Sequence, residues 1–500
     1  MNATTRDDAK RAVIVGAGLG GIGAAATLAA AGWRIEMFEK NSHVGGRLNL
    51  LERDGFKFDL GPSILTMPQL FESVFERAGR KLDDYMELQV LAPEWRNHFE
   101  DGTTIDLYNT PQETVGKNEK LGERDQKDIS RFLAYSKALY ETSKPSYFDR
   151  GVDSFWSMVR YHGLWQSLFG FDIFSTMHQG VSRYITNEYL VKIYDFFIKY
   201  VGSSAFHAPA VLNMLPYIQH EFGCVYVKGG LYNLALGLRK LLEDIGVTIH
   251  VDAPVAEIVR EGRRATGIKL EDGTVHTGDV VICNMEIIPA HRALLGASEK
   301  DVRRFSKFEP ACSGLVIHIG TDREYPMLGH HNFFFSKNPQ KHFTDVFKRK
   351  VLPEDPTIYL VAAARTDKTQ APDGCENIKI LPHIPHLQDT PPSEADYEAL
   401  KNRVLDKLER MGLEDLRKHT IVEHMWTPHD IKRLYNTNRG AIYGVVSEKK
   451  LNHGLKAPKK SELYDGLWFV GGSVNPGGGM PTSLLSGIQV AQQLTGSRPG

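Results

Sequence analysis

AVIVGAGLGGIGAAATLAAAGW, residues 12–33, contains no charged side chain and is bracketed by Lys10, Arg11 and Arg34. A bilayer-spanning helix needs about 20 predominantly apolar residues, so length alone would allow a membrane span. The glycines exclude it. Gly16, Gly18, Gly20 and Gly21 crowd into six residues, and each would cost a helix interior roughly 1 kcal/mol. The β-branched run ending at Val15 suits a buried strand, and Ala24 to Ala31 is good helix material. The reading is strand, glycine turn, helix. A turn of this kind offers backbone N–H groups and the positive end of a helix dipole to an anion, typically a pyrophosphate.

Gly16-x-Gly18-x-x-Gly21 has dinucleotide spacing, in which the glycines provide the tight turn, the close approach of backbone to phosphate, and helix-to-strand packing. The next strand, Trp33 to Phe38, leads into Glu39, 23 residues after Gly16. A carboxylate there accepts hydrogen bonds from an adenosine ribose and repels a 2′-phosphate, which disfavours NADP. Just beyond Lys40, the diglycine Gly45-Gly46 precedes Arg47. Backbone and guanidinium at such a site can lie against one pyrophosphate, with arginine adding a charge-assisted contact. A turn at Asp54-Gly55 and then Gly61-Pro62 complete the segment.

Five hundred residues exceed what one core usually serves, so two or three domains are expected. A net charge of −1 and the lack of a long basic run argue against nucleic acid as a partner. Cys224, Cys283, Cys312 and Cys375 lie far apart, against a disulfide framework or cysteine zinc site and in keeping with a reducing cytoplasm. Asp7 and Asp8 precede the first apolar run, which argues against a secretory signal.

Residues 68–200 read as mostly helical, with charged helices to about 145. The stretch 155–174 then holds seven aromatic residues out of twenty. VYVKGGLYNLALGLRKLLEDIGVTIHVDAPVAEIV predicts a strand, a helix ending near Gly246, and strands around 247–251 and 255–259. Alternating strands and turns fill 310–385, and 394–418 reads as one amphipathic helix. The tail LWFVGGSVNPGGGMPTSLLSGIQVAQQL repeats the opening pattern of strand, glycine-rich turn and helix.

Together, the turn at 16–21, Glu39, the diglycine-arginine at 45–47 and the turn at 471–487 resemble the phytoene desaturase family. These are the bacterial and fungal FAD-dependent carotenoid desaturases, diapophytoene desaturases included, within the flavin amine oxidase/GDI-like fold. The similarity runs through nearly the whole chain: GPSILT at 61–66, VKGGLYNLALGL at 227–238, LGHHN at 328–332, APDGCENIKIL at 371–381 and, most specific, VGGSVNPGGGMPTSLLSG at 470–487. It implies an α/β fold with a discontinuous Rossmann-type FAD domain (1–70, 220–300 and 440–500), a mainly helical substrate and membrane-associating region (71–219), and a mixed substrate-domain sheet with helices (301–439). Gly16, Gly18, Gly21, Glu39, Lys40, Gly45, Gly46 and Arg47 would hold the ADP and pyrophosphate. Gly61 and Pro62 belong to the same FAD site, Val255 would offer its backbone to adenine, and Gly472 and Met480 would lie by the ribityl chain and flavin ring. The N-terminus of the last helix can there stabilise negative charge on the reduced ring.

The implied reaction is desaturation of a linear thirty- or forty-carbon polyene precursor. An allylic hydride leaves to flavin N5, and a proton leaves the adjacent carbon. Asn475 stands where many relatives have histidine, which opens the alternatives of a carotenoid oxygenase or isomerase. A non-enzymatic GDI-like prenyl-binding protein is a further rival, although it has no need of the second and third flavin motifs. An amine oxidase would place an acid where Gly472 stands. No catalytic residue is assigned. For His330 and His331, packing is favoured over proton acceptance, and His383-x-x-His386 is assigned no metal. Leu164, Trp165, Leu168, Phe169, Ile173 and Met177 fall at helical spacings. Trp165, Phe169, Ile173 and Met177 are expected on a surface that docks a cytoplasmic, peripheral enzyme onto a membrane holding its lipid-soluble substrate. Chain length, number of steps, oligomeric state and the electron acceptor, oxygen or quinone, stay open.

Overall fold

The computed structural model describes residues 9–497 except 451 and 453. Its first layer is a parallel five-stranded sheet in the order Leu467–Phe469, Val280–Cys283, Arg11–Val15, Arg34–Phe38, Thr248–His250. The central strand pairs Ile14 with Ile282 on one side and Met37 on the other. Buried on both faces, its residues Ala12 to Ile14 are at most 1% exposed, which explains an apolar run without alternation. Strands from three distant parts of the chain thus meet in one sheet.

The helix Leu19–Ala30 follows the glycine turn and packs on the last helix, Met480–Thr495. Contact is backbone to backbone. A Cβ at Gly487 would lie 2.0 Å from the Gly20 carbonyl oxygen, and one at Gly23 would lie 2.4 Å from that of Leu484. The missing charges in 12–33 therefore reflect a helix enclosed by sheet and helix.

An antiparallel three-stranded sheet, Val255–Glu261, Arg264–Leu270 and Val275–Thr277, flanks this layer. The second large unit is an eight-stranded mixed sheet. Its path runs Thr420–Trp426, Val316–Thr321, Glu376–Ile384, Ile358–Val361, His331–Phe334, Trp95–His98, Thr104–Leu107, with Ser313–Gly314 paired to Glu376–Ile384. Two of these strands fall within 68–200, where the sequence reads as mostly helical, and Leu88–Val90 is a third strand there. Only three or four residues long, they carry too few alternations to register as strands, and the pairings that join them to the rest of the fold are distant: Leu88–Val90 pairs with Val225–Val227, and Trp95–His98 pairs with His331–Phe334. The helix expected over 394–418 ends at Arg410, because the chain turns through Gly412 at φ +116°.

The aromatic stretch also differs from a single amphipathic helix. Gly163, at φ +80°, separates Phe155–His162 from Leu164–Phe169, and the next helix is Met177–Ser182. Trp156 and Trp165 are each 75% exposed, Phe169 is 62% and Phe174 is 59% exposed. Met177 is completely buried and Ile173 half-buried, so Met177 cannot belong to the proposed docking surface. Among the described residues no helix is long and apolar enough to cross a membrane.

Candidate active site

A cavity of about 640 Å³ opens at the C-terminal ends of the parallel strands, where the order reverses on either side of Arg11–Val15. Open α/β sheets place ligands at this crevice. Gly16, Gly18, Glu39, Lys40, Gly45, Gly46 and Arg47 line it from the first segment, with Gly61 and Pro62 beside them. Val255 joins from the three-stranded sheet, and Gly472 and Met480 from the C-terminal turn and helix. Gly21 does not line the cavity.

The three glycines of the turn do different work. Gly16 is at φ +89°, a left-handed conformation that glycine adopts without penalty. Gly18 is in ordinary extended backbone (φ −79°, ψ 174°), so its lack of a side chain matters for space. A Cβ at Gly21 would sit 2.3 Å from the Gly16 carbonyl oxygen, so this glycine serves helix-to-strand packing. The diglycine seats itself on the same turn: Gly45 N–H donates to the Ala17 carbonyl at 2.8 Å, and Gly46 is at φ +62°.

Glu39 is 5% exposed, and its carboxylate accepts from Ala17 N–H at 2.9 Å, Asn41 N–H at 2.9 Å and Asn41 Nδ2 at 3.0 Å. An ionised carboxylate offers about four acceptor sites, so capacity remains for a ribose hydroxyl. The same contacts make Glu39 a tie between the glycine turn and the segment after the second strand. Glu39→Ala should therefore lose more than one ribose bond. Leaving buried N–H groups unpaired costs about 1–3 kcal/mol, which corresponds to roughly tenfold weaker dinucleotide binding or worse. Glu39→Gln, which keeps one acceptor oxygen, should lie between wild type and alanine in a titration of the stripped protein with FAD.

Two side chains that sequence reasoning missed complete the cradle. Asn284 follows the strand Val280–Cys283 and reaches over the turn, where its Oδ1 accepts from Gly21 N–H at 3.2 Å. Glu286 accepts from Arg47 Nη2 at 2.8 Å and from Asn438 N–H at 2.9 Å. Burial raises the Glu286 carboxyl above its ordinary value, and the Arg47 guanidinium opposes that shift. Arg47 also donates through Nη1 to the Ile442 carbonyl at 2.7 Å. Arg47 thus lines the cavity while tying three distant segments together, and only part of its donor fork is left for a phosphate. The signal for Asn284 was a hydrophobic strand, VVIC, ending in a polar residue. Lys40 Nζ donates to the Arg433 carbonyl at 3.1 Å.

Two helix N-termini meet this cavity, that of Leu19–Ala30 at Gly18 and that of Met480–Thr495 at Gly479. Each has a glycine N-cap, which brings no side chain of its own, and at the first helix Asn284 takes only the Gly21 N–H. The remaining N–H groups at these helix starts call for an external acceptor. Two such ends, a ribose-type carboxylate and the glycine cradle together fit a flavin dinucleotide. Bound there, a flavin would supply two-electron oxidation, with Gly18 and Asn284 placed to hold its phosphate end and Met480 at the helix end that favours negative charge.

The remaining wall comes from the eight-stranded sheet and the helical region. Lys199, Tyr200, Tyr359, Lys379, Leu381 and Tyr443 belong to it. Lys379 donates to the Gly61 carbonyl and to Ser63 Oγ, and burial pulls its ammonium down to about 8. His330 and His331 do not reach the cavity. His330 Nδ1 pairs with Thr366 Oγ1 at 2.8 Å, and burial lowers it to about 3, while His331 Nδ1 pairs with the Tyr359 hydroxyl at 3.0 Å. Both pack rather than face a substrate. Asn475 also lies off the cavity: it clamps Lys456 through both backbone groups, at 2.9 and 3.0 Å. Its departure from histidine leaves the cavity lining untouched. Among the described residues no cluster of three or more His, Cys, Asp or Glu is placed to hold a metal ion, and the four cysteines are free.

The family model for flavin containing amine oxidoreductase matches residues 19–495. A 4,4′-diapolycopene oxygenase from Methylomonas sp is 51% identical over 489 residues, covering 98% of each chain. A 4,4′-diaponeurosporene oxygenase from Staphylococcus aureus is 48% identical over 486 residues, covering 97% of this chain and 98% of its own. Putrescine oxidase bound to putrescine has the same fold, with a TM-score of 0.66 at 14% identity over 97% of this chain and 99% of its own. Rab GDI from Plasmodium falciparum also shares the fold, with a TM-score of 0.56 at 13% identity over 98% and 99%. The chain belongs to the flavin-containing amine oxidoreductase family and, within it, to the phytoene desaturase superfamily, and it is a flavin-dependent oxidoreductase.

Proposed function

We propose that the protein binds FAD and uses it to oxidise an open-chain carotenoid, inserting oxygen at the polyene rather than only lengthening its conjugation. The observation that carries this is the full-length similarity to the diapolycopene oxygenase, 51% identity over 98% of both chains. It moves oxygenation ahead of the desaturation that the motifs alone suggest. Physical chemistry supports a neutral, apolar substrate. The cavity wall facing the dinucleotide cradle is aromatic and aliphatic, and its unpaired charges are the ammonium groups of Lys199 and Lys379. These repel the alkylammonium that an amine oxidase takes. Gly472 likewise offers no acid at the flavin.

The enzyme works from a membrane surface, where its substrate dissolves. Support comes from Trp156, Trp165, Phe169 and Phe174, which project into solvent, with Trp165 and Phe169 stacked at 5.7 Å and Phe174 tilted against Phe169 at 5.9 Å. Large exposed aromatic clusters of this kind suit the headgroup interface. Exposed Arg160 in the last turn of Phe155–His162 adds a group for anionic lipid.

Expression in cells that make either a thirty- or a forty-carbon polyene, with pigments identified by chromatography and mass, tests the reaction. Oxygenation to an aldehyde adds one oxygen and removes two hydrogens, with dioxygen as oxidant and water as the other product. Desaturation removes two hydrogens per step and adds no oxygen. Pigments that lose hydrogen without gaining oxygen overturn the oxygenase reading, and a purified chain without flavin overturns both.

A further inference from the structure

Lys199 lies in the turn Phe197–Val201 and is 4% exposed. Its ammonium stands over four rings, 4.2 Å from the centroid of Tyr200, 4.7 Å from Trp95, 4.8 Å from Tyr359 and 5.0 Å from Phe333. Lys199, Tyr200 and Tyr359 line the cavity described above. Among the described residues the ammonium makes no hydrogen bond and no ion pair.

Both tyrosine hydroxyls of the cage keep acceptor lone pairs, but neither makes a hydrogen bond with the ammonium, which lies over the ring faces instead. The Tyr200 hydroxyl donates to Gln219 Oε1 at 2.6 Å, and Gln219 Nε2 donates in turn to Glu94 Oε2 at 2.8 Å. The Tyr359 hydroxyl is engaged with His331 Nδ1. Ring faces stabilise a cation but accept no conventional hydrogen bond, so three N–H donors stay unsatisfied beside an open volume. Burial accordingly pulls the ammonium down to about 7. Lys379, the other cavity lysine, differs because Gly61 and Ser63 already accept from it. An isosteric methionine would fill the Lys199 cage without that cost, so the cation is kept for something that enters the cavity. Given the proposed oxidation of a polyene, the entering group combines a flat conjugated chain, which packs on the rings, with an acceptor oxygen at its end.

We infer that Lys199 is a specificity-determining residue that holds the oxygen of an already oxidised polyene end, a terminal carbonyl or carboxylate. The inference rests on the carotenoid reading, and assigns the cavity a preference for a partly oxidised substrate over its parent hydrocarbon.

The test uses the full-length, flavin-loaded protein in detergent micelles, titrated with a linear polyene hydrocarbon and with its terminal aldehyde. Wild type should bind the aldehyde about tenfold more tightly or better, the effect of a charge-assisted hydrogen bond in a dry site. The aldehyde's visible band should also move to longer wavelength, because a cation at the carbonyl draws charge along the conjugated chain. Lys199→Met should bind both ligands alike, give no band shift, keep its flavin and melt no lower than wild type. Lys199→Arg should keep part of the preference. A folded Lys199→Met protein that retains the preference overturns the assignment, as does a wild type that binds hydrocarbon and aldehyde equally. A wild type that binds neither overturns the carotenoid reading itself. If Lys199→Met does not fold, the cation is a structural prop and the assignment falls unless wild type shows both preference and band shift, which Lys199→Gln must then abolish.

Discussion

Gly18→Val is expected to give a folded protein that carries almost no flavin. The backbone at Gly18 is extended and admits any residue, so no strain is introduced there. Side-chain volume is the whole difficulty. A Cβ at this position lies 2.5 Å from Asn284 Nδ2, and the two γ-methyl groups of valine would reach into the cavity over the start of the helix Leu19–Ala30. Displacing Asn284 removes its bond to Gly21 N–H, and the methyl groups fill cavity space beside the glycine turn that a phosphate would need. Overpacking of this order costs about 1–3 kcal/mol, to which the lost phosphate contacts add, so affinity should fall by roughly a hundredfold or more. Gly18→Ala should be intermediate, since the atom it meets is the end of a side chain that can rotate. Gly21→Ala should instead impair folding, because its neighbour is the Gly16 carbonyl oxygen. Flavin released per mole of protein, with circular dichroism as the control for folding, separates the three. A Gly18→Val protein with full flavin content would make the turn merely structural.

Replacing Trp165 and Phe169 together by serine should abolish sedimentation with liposomes while leaving a folded, flavin-loaded enzyme. Both side chains are mostly exposed, and they stack on each other rather than into a core. Surface substitutions away from structural features usually change stability by no more than about 0.5 kcal/mol, so the melting temperature should hold. Membrane affinity should drop steeply, since burying a large apolar side chain contributes about 1.5–3 kcal/mol. Met177→Ser is the contrasting variant. Met177 is fully buried, so this change should lower stability without acting through the membrane. Undiminished liposome binding by the folded double variant would remove these residues from the docking surface.

The contrast between Met177 and Trp165 marks where sequence reading ended. Both fall on one helical stripe, and spacing records only that residues share a face. It holds no record of what covers that face. The helix Leu164–Phe169 ends partway along the stripe and a new helix begins at Met177, so Trp165 faces outward while Met177 closes a core. The nucleotide unit was legible because everything that defines it is local. Gly16 to Gly21, Glu39 and Gly45 to Arg47 lie within 32 residues, and each needs its type for a reason that operates over a few bonds, a positive φ, a close approach or a charge at a strand end. The C-terminal turn was legible for the same reason.

What the sequence by itself determined, then, is the strand-turn-helix at the cavity, the acidic residue after its second strand and the glycine-rich helix start at the far end of the chain. Tertiary structure decided the rest, because it depends on contacts across hundreds of residues. Asn284 caps a turn from 263 positions away, and Glu286 holds an arginine 239 positions away. Trp95 and Phe333 meet around Lys199 only because the strands Trp95–His98 and His331–Phe334 pair in parallel. A lysine's place in a chain says nothing of whether water, a carboxylate or four aromatic rings will surround it, and those surroundings determine whether the amine is a solvated surface charge or a buried cation facing a cavity.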